Sequence, residues 1–261
     1  MNRPAIHGHR GARAVLPENT LPAFEYAIRA GADAIELDVL ATRDNVLVVT
    51  HDPLMNEEIC RGGPAGVAVR DLSFDELCRY DCGSRANPRY PKQRALPGVR
   101  IPSLDEVLDL WRLGDFLFNI EVKCFPAPEL APAPAEYACM LLERIAAHRL
   151  TRRVLVQSFD FRVLAEVRRE DSSIPLAALW EYPERDPIEL AQEAGTRMVS
   201  LFHDLIDSAL VEKAHGAGVE VLAWTANEER DWRRLTQAGV DAIITDDPAA
   251  LVEWMKSIGA R

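Results

Sequence analysis

Charged and titratable residues gather at a few points where the surrounding sequence is apolar. His7-Gly8-His9-Arg10-Gly11 lies near the start, and Ile35-Glu36-Leu37-Asp38-Val39 and Ile120-Glu121-Val122-Lys123 each carry two charged residues inside an apolar run. Residues i and i+2 share one face of a strand, so Glu36 and Asp38 point together, as do Glu121 and Lys123. An apolar strand gains nothing from inward carboxylates, and three of them converging would not all ionise without a cation. Three carboxylates and no thiolate make a hard donor set, which suits Mg²⁺ or Ca²⁺ better than Zn²⁺. The plainer alternative is salt bridging of Glu36 and Asp38 to basic residues on a strand rim. It leaves the third carboxylate and the neighbouring histidines without a role.

His9 and His51 would flank such a cation, and a histidine pair beside carboxylates suits general acid–base work near neutral pH. His51-Asp52-Pro53 closes an expected hairpin running from Leu40 to Thr50, with its turn at Asp44-Asn45. His7 shares a strand face with His9 but lies deeper, in a supporting position. His148 and His215 fall in helical segments and His203 follows the sixth strand. All three read as structural. Arg10 and Lys123 supply local positive charge for an anionic substrate: an arginine fork reads phosphate oxygens, and a lysine neutralises charge developing at phosphorus. Trp224, at the end of the seventh strand, reads either as an aromatic wall for a polyol or a quaternary ammonium group, or as a packing residue of the rim.

A repeated phrase indicates the elements that position these residues. Ala30-Gly31-Ala32-Asp33-Ala34-Ile35 recurs at 194–199, 217–222 and 238–243, each time as a helix end, a glycine suited to the left-handed stop, a short loop and an apolar strand. Phe24, Ala27 and Ile28 share a helix face after Pro22, and Leu210, Val211 and Ala214 do so after the N-cap Asp207. Apolar runs without strict alternation suit parallel strands buried on both faces. They occur at Ile6, 34–37, 116–122, 154–156, 176–179, 198–201, 219–223 and 242–245. Eight such strands, mostly followed by helical segments, predict an α/β fold of the TIM (β/α)8 barrel class, with its site at the carboxyl ends of the strands. A doubly wound open sheet is the rival, and no Gly-x-Gly-x-x-Gly follows any strand. The whole of 1–261 reads as one domain. The irregular stretch 53–102, with a short helical pattern at 73–80, reads as an insertion after the second barrel strand that forms a lid beside the mouth. The Pro/Ala-rich stretch 125–134 reads either as a plain surface connection or as a cover for the site.

Composition narrows the partners. The 261 residues carry 41 acids against 30 Lys and Arg, for a formal charge of −11. Such a surface repels phosphate backbones, which argues against general nucleic-acid binding. Five cysteines, at 60, 78, 82, 124 and 139, are odd in number and too few for a disulfide framework, and Cys78 and Cys82 lack a second pair for zinc. No run approaches 18 apolar residues, and the first residues lack the apolar core of a signal peptide. The expectation is a soluble cytoplasmic protein without stable membrane insertion.

His9-Arg10-Gly11 followed by Pro17-Glu18-Asn19-Thr20 and Ala23-Phe24 resembles the opening signature of the glycerophosphodiester phosphodiesterases, in particular the bacterial cytoplasmic type. The resemblance continues through Glu36-Leu37-Asp38-Val39, His51-Asp52, Ile120-Glu121-Val122-Lys123, Ser158-Phe159, Trp224-Thr225-Ala226-Asn227 and Thr245-Asp246-Asp247-Pro248, in that order. It implies a TIM barrel with a small insertion after the His-Asp motif. It also implies divalent-cation-dependent hydrolysis of glycerophosphodiesters, such as glycerophosphocholine or glycerophosphoethanolamine, to sn-glycerol 3-phosphate and an alcohol. By matching position, Glu36, Asp38 and Glu121 would be the metal ligands, His9 and His51 the acid–base pair, and Arg10 and Lys123 the phosphate contacts. Asn45 departs from the family's usual glycine in the hairpin turn, which asparagine tolerates, and the long loop after Lys123 is unusual. The expected partner is a small-molecule glycerophosphodiester, with a homodimer left open. Two other readings stand beside this one: lysophospholipase D-type cleavage of single-chain phospholipids, and a barrel that binds glycerophosphodiesters without turnover.

Overall fold

The computed structural model describes residues 3–125 and 127–260. Its strands are β1 (Ala5–Gly8), β2 (Ala34–Ala41), β3 (Leu47–Val49), β4 (Leu117–Val122), β5 (Val154–Ser158), β6 (Leu176–Trp180), β7 (Met198–Phe202), β8 (Glu220–Trp224) and β9 (Ala242–Thr245). The helices are α1 (Leu21–Ala30), α2 (Phe74–Leu77), α3 (Leu104–Leu108), α4 (Pro134–Ala147), α5 (Phe161–Glu170), α6 (Pro187–Ala194), α7 (Ser208–Gly216), α8 (Glu229–Ala238) and α9 (Pro248–Ser257). Strand order is β1-β9-β8-β7-β6-β5-β4-β2, with β1 also pairing β2, so eight parallel strands close on themselves. This is the TIM barrel predicted from the sequence. The eight expected strands are all present within about a residue or two of their expected ends. The exception is β2, which runs on to Ala41 to pair with β3.

The repeated phrase acts as expected. Gly31, Gly195 and Gly239 end their helices in the left-handed conformation. The Asp207 side chain accepts from the Leu210 N–H at the start of α7. Alternation then divides the strands. Ile35, Leu37 and Val39 of β2 join the large apolar layer between barrel and helices, which leaves Glu36 and Asp38 facing inward. Leu155, Ala177, Leu222 and Ala242 fill a small apolar layer of their own. Every residue of β2 is buried, so the inward carboxylates lie where water does not reach freely.

The expected hairpin is present: β3 pairs antiparallel to β2 with Val39 opposite Val49 and Ala41 opposite Leu47. Asn45 takes φ 59° in its turn, which asparagine adopts more readily than most residues. The following stretch contains α2, with Ser73 and Glu76 forming a reciprocal cap, and its own small core. Leu40, Val48, Met55, Val69, Leu77, Tyr80 and Ile101 make up that core together with Cys60 and Cys82. Those two cysteines are bonded as a disulfide, a pairing the cysteine count did not predict, because it depends on two distant segments meeting. The stretch reaches across to the loop after β1, where Gln93 Nε2 donates to the carbonyls of Arg13 (2.6 Å) and Leu16 (3.2 Å). It returns to the barrel beside β3, where Val49 N donates to Pro102 O at 2.9 Å. The helix α3 that follows was not anticipated, although Ser103-x-x-Glu106 is a capping-box signature and forms one. Of the Pro/Ala-rich stretch, Pro126 lies outside the described residues. A short 3₁₀ turn spans Pro128–Leu130, and Pro134 already begins α4.

His7 sits in β1 with Asn119 Nδ2 donating to its Nδ1 at 3.3 Å. Burial lowers its pKa from 6.5 to about 4, so the folded chain holds it neutral. The unfolded chain takes up that proton near pH 6.5. Stability should therefore fall as pH drops from about 6.5 to about 4 and level off below. Urea-unfolding midpoints across that window should drop less steeply in His7→Gln than in the wild type. Identical slopes would show that His7 is not the group responsible.

Candidate active site

Register sets the charged cluster. Asp38 of β2 lies directly opposite Glu121 of β4, and Glu121 lies opposite Gln157 of β5. One carboxylate oxygen from each of Glu36, Asp38 and Glu121 falls within 4.8 Å of the others, the convergence expected from the i, i+2 spacing. Lys123 Nζ stands 2.6 Å from Glu121 Oε1 and 3.0 Å from Asp38 Oδ1. Arg10 Nε lies 3.2 Å from Asp38 Oδ2, and Arg10 Nη1 bonds Glu18 Oε1 at 2.6 Å. The salt bridging to basic residues that is the plainer expectation for Asp38 is present, and it coexists with the convergence of the three carboxylates.

The loop after β1 presents its backbone to the same cluster. Arg10 N donates to Glu36 Oε2 at 2.8 Å, and Asn19 Nδ2 donates to Asp38 Oδ2 at 2.8 Å. Both Arg10 (φ 49°) and Asn19 (φ 56°) are left-handed, a conformation that costs about 1 kcal/mol or more each away from glycine. Gly11 must be glycine, since it has φ 84° and a Cβ there would lie 2.7 Å from the Ala23 carbonyl carbon. The turn thus packs directly on α1 while Asn19 and Arg10 face the carboxylates.

The three acids do not share one environment. Burial, followed by the charges of Asp38 and Glu121, pushes Glu36 well above the usual carboxylate range. Burial works on Asp38 too, but Lys123 and Arg10 overcome it and hold that carboxyl well below its ordinary value. Burial raises Glu121, partly opposed by Lys123. With Glu18 counted, four carboxylates face two basic side chains, Arg10 and Lys123. When all are ionised the excess is two negative charges. That excess, carried on hard oxygen donors, fits one divalent cation.

Each histidine is oriented by an aspartate. His9 Nδ1 lies 2.6 Å from Asp246 Oδ1, and His51 Nδ1 lies 2.7 Å from Asp52 Oδ1. An ionised carboxylate accepts, so Nδ1–H is the donor in both rings and Nε2 carries the free lone pair. His9 Nε2 faces Glu36 Oε2 at 3.9 Å. Burial lowers the pKa of His9 to about 4, despite the opposing pull of Asp246. Burial alone would raise Asp246, but His9, Arg13 and the Asn227 amide bring it down to about 2.

These groups surround a cavity of about 310 Å³. His9, Arg10, Glu36, His51, Glu121, Lys123 and Trp224, all singled out from the sequence, line it, and Asp38 is buried beside it, bonded to three of its neighbours. Trp224 packs at the rim and faces the cavity: its indole N–H donates to Ser200 O at 3.0 Å, and its ring lines the cavity edge-on to Phe159 at 5.7 Å. The histidines read as structural are placed so, His148 on Asp105 and His215 on Asp241. His203 packs against Arg234 and Asp204 instead. Sequence reasoning did not assign Asp246, Asn19, Arg13 or Gln157. Asp246 and Gln157 sit at or just beyond strand ends, where the barrel rule would have pointed, but the 237-residue separation of His9 and Asp246 hides their pairing.

The profile of the glycerophosphoryl diester phosphodiesterase family matches residues 9–250. A glycerophosphodiester phosphodiesterase of Caldanaerobacter subterraneus subsp. tengcongensis is 34% identical over 254 residues, covering 97% of this chain and 98% of its own. A protein from Silicibacter pomeroyi DSS-3 carrying the same family designation superimposes with a TM-score of 0.92 at 32% identity, covering 99% of this chain and 95% of that one. A phosphodiesterase from Oleispira antarctica, solved with the product sn-glycerol-3-phosphate, shares the fold with a TM-score of 0.84 at 22% identity, covering 97% of each chain.

Asp246→Asn preserves side-chain shape but replaces the acceptor that fixes the His9 ring. Catalytic turnover should fall about 10²-fold or more, with KM little changed. Steady-state kinetics at the wild-type kcat would show that His9 does not depend on this partner.

Proposed function

The chain belongs to the glycerophosphoryl diester phosphodiesterase family and is an enzyme of that activity, and we propose that it hydrolyses small glycerophosphodiesters to sn-glycerol 3-phosphate and an alcohol through the residues around the 310 Å³ cavity. The observation that carries this reading is the convergence of Glu36, Asp38 and Glu121 within 4.8 Å, flanked by two histidines that each have an aspartate behind them. The product complex of the Oleispira antarctica relative supports the choice of sn-glycerol 3-phosphate.

Glu36, Asp38 and Glu121 would hold a divalent cation, Mg²⁺ or Ca²⁺, and three buried carboxylates whose hard oxygens converge within 4.8 Å fit that role. When bound, the cation polarises a phosphate oxygen and stabilises charge that develops there. Lys123 and Arg10 orient and neutralise the phosphate. Both already sit against the carboxylates, and the phosphodiester approaches on their cavity side. His9, neutral through burial, accepts the proton of the attacking hydroxyl at Nε2. His51, the more open of the two, protonates the departing alkoxide. Asp246 and Asp52 keep both rings in the tautomer that leaves Nε2 toward the substrate. Trp224 and Phe159 form the aromatic wall against which glycerol or a choline group packs. Residues 53–102 brace the mouth from outside, where Gln93 bonds the carbonyls of Arg13 and Leu16 in the loop after β1.

Release of sn-glycerol 3-phosphate from glycerophosphocholine, followed in Mg²⁺, in Ca²⁺ and in EDTA, tests the whole reading. Release should require one of the ions and stop in EDTA, and His9→Ala and His51→Ala should each lower kcat by roughly 10²- to 10⁴-fold. Undiminished release in EDTA, or full activity in both variants, would contradict it.

A further inference from the structure

One polar side chain of the catalytic cavity has no part in the chemistry described above. Gln157 interrupts the apolar run of β5, directly after Val154-Leu155-Val156. Val154 and Val156 join the layer between barrel and helices, so alternation sends Leu155 and Gln157 inward. Leu155 packs in the small apolar layer with Ala177, Leu222 and Ala242. Gln157, one step nearer the carboxyl end of the strand, lines the cavity. In register it stands between Glu121 of β4 and Ala177 of β6, and the alanine methyl offers its amide nothing to bond.

The residue is only 2% exposed, and its Oε1 accepts no hydrogen bond among the described residues. Other neutral side chains, Asn119 and Ser200 among them, also have a buried polar atom without a partner, but of this group Gln157 is the one that lines the catalytic cavity. The lining's other hydroxyl or amide, Thr225, has its Oγ1 3.4 Å from His9 Nδ1. A buried acceptor left unpaired is destabilising, a cost that leucine or methionine at the same place would not carry. The unpaired atom is an acceptor, so its complement must donate. In glycerophosphocholine neither the phosphodiester nor the trimethylammonium group has an N–H or O–H, and the donors are the two glycerol hydroxyls. Neighbouring strands lie about 4.8 Å apart, so the amide stands one strand to the side of Glu121, within reach of a substituent on a phosphate held at the three carboxylates.

We propose that Gln157 is a specificity-determining residue: its side-chain Oε1 accepts a hydrogen bond from one glycerol hydroxyl, and this contact selects glycerol over an alcohol of the same shape that lacks that hydroxyl. A site built to bond a hydroxyl rejects the analogue without it, because the buried acceptor is then left unpaired. The inference rests on the phosphodiesterase reading of the cavity.

Calorimetric titration of the full chain in Mg²⁺ tests this without depending on turnover. The ligands are sn-glycerol 3-phosphate and its two deoxy counterparts, propane-1,2-diol 1-phosphate of matching configuration and propane-1,3-diol 1-phosphate. The wild type should bind sn-glycerol 3-phosphate more tightly than one of the deoxy compounds, by roughly 5- to 150-fold. Gln157→Leu and Gln157→Met should each lose that preference while binding the deoxy compound about as the wild type does. Two substitutions of different shape keep the test valid if one fails to fold. Variants that weaken all three ligands by one factor, with the preference kept, would show that Gln157 only supports Glu121 and would overturn the proposal. A wild type that turns over glycerophosphocholine yet binds the three ligands alike would overturn it too, and would leave the cavity's reading intact. The expected preference, lost in both variants but without turnover of glycerophosphocholine, would uphold the role of Gln157 and overturn that reading instead.

Discussion

The structure turns on three carboxylates held together inside the mouth of a barrel. Glu36, Asp38 and Glu121 are each less than a tenth exposed, and bringing like charges together away from water is among the least favourable arrangements a protein can contain. The surrounding structure can be understood as the answer to that cost. Lys123 and Arg10 lie against Asp38, Asn19 donates to it, and the Arg10 backbone N–H caps Glu36. Two residues in left-handed conformation and a close-packed glycine are needed to present those donors. With Glu18 counted and every group ionised, the response falls short by two charges, the charge that one divalent cation would supply.

Much of this was legible in the sequence because strand geometry is simple. Spacing of two placed Glu36 beside Asp38 and Glu121 beside Lys123, and the recurring Ala-Gly phrase marked where helices hand over to strands. The hairpin turn was readable at Asp44-Asn45 for the same local reason. Other features depend on where remote segments meet. Asp246 reaches His9 because β9 pairs β1 across the closure of the barrel, and the bond between Cys60 and Cys82 depends on how the insertion folds on itself. Arg10 reads from the sequence as a phosphate contact, and the ion pairs that its guanidinium also makes with Glu18 and Asp38 depend on where other segments fold.

The mouth has two unlike sides. One is the loop after β1, which the insertion braces from outside: the small core of the insertion includes Leu40 of β2 and Val48 of β3, and its Gln93 and Tyr90 hold Arg13 by a hydrogen bond and a cation–π contact. Arg13 in turn bonds the aspartate behind His9, so this side is tied to the Asp246–His9 pair. The other side, from Phe159 outward, is aromatic and carries only charges that are already paired. Polar order on one flank and apolar surface on the other fit a substrate with a charged phosphate at its centre and unlike substituents at its ends.

The central claim is that the three carboxylates make one divalent-cation site. An anomalous difference map from crystals soaked in Mn²⁺ tests it most directly. The account predicts one strong peak among Glu36, Asp38 and Glu121, lost in crystals of Asp38→Asn. Absence of a peak there, or a peak that survives the substitution unchanged, would contradict it.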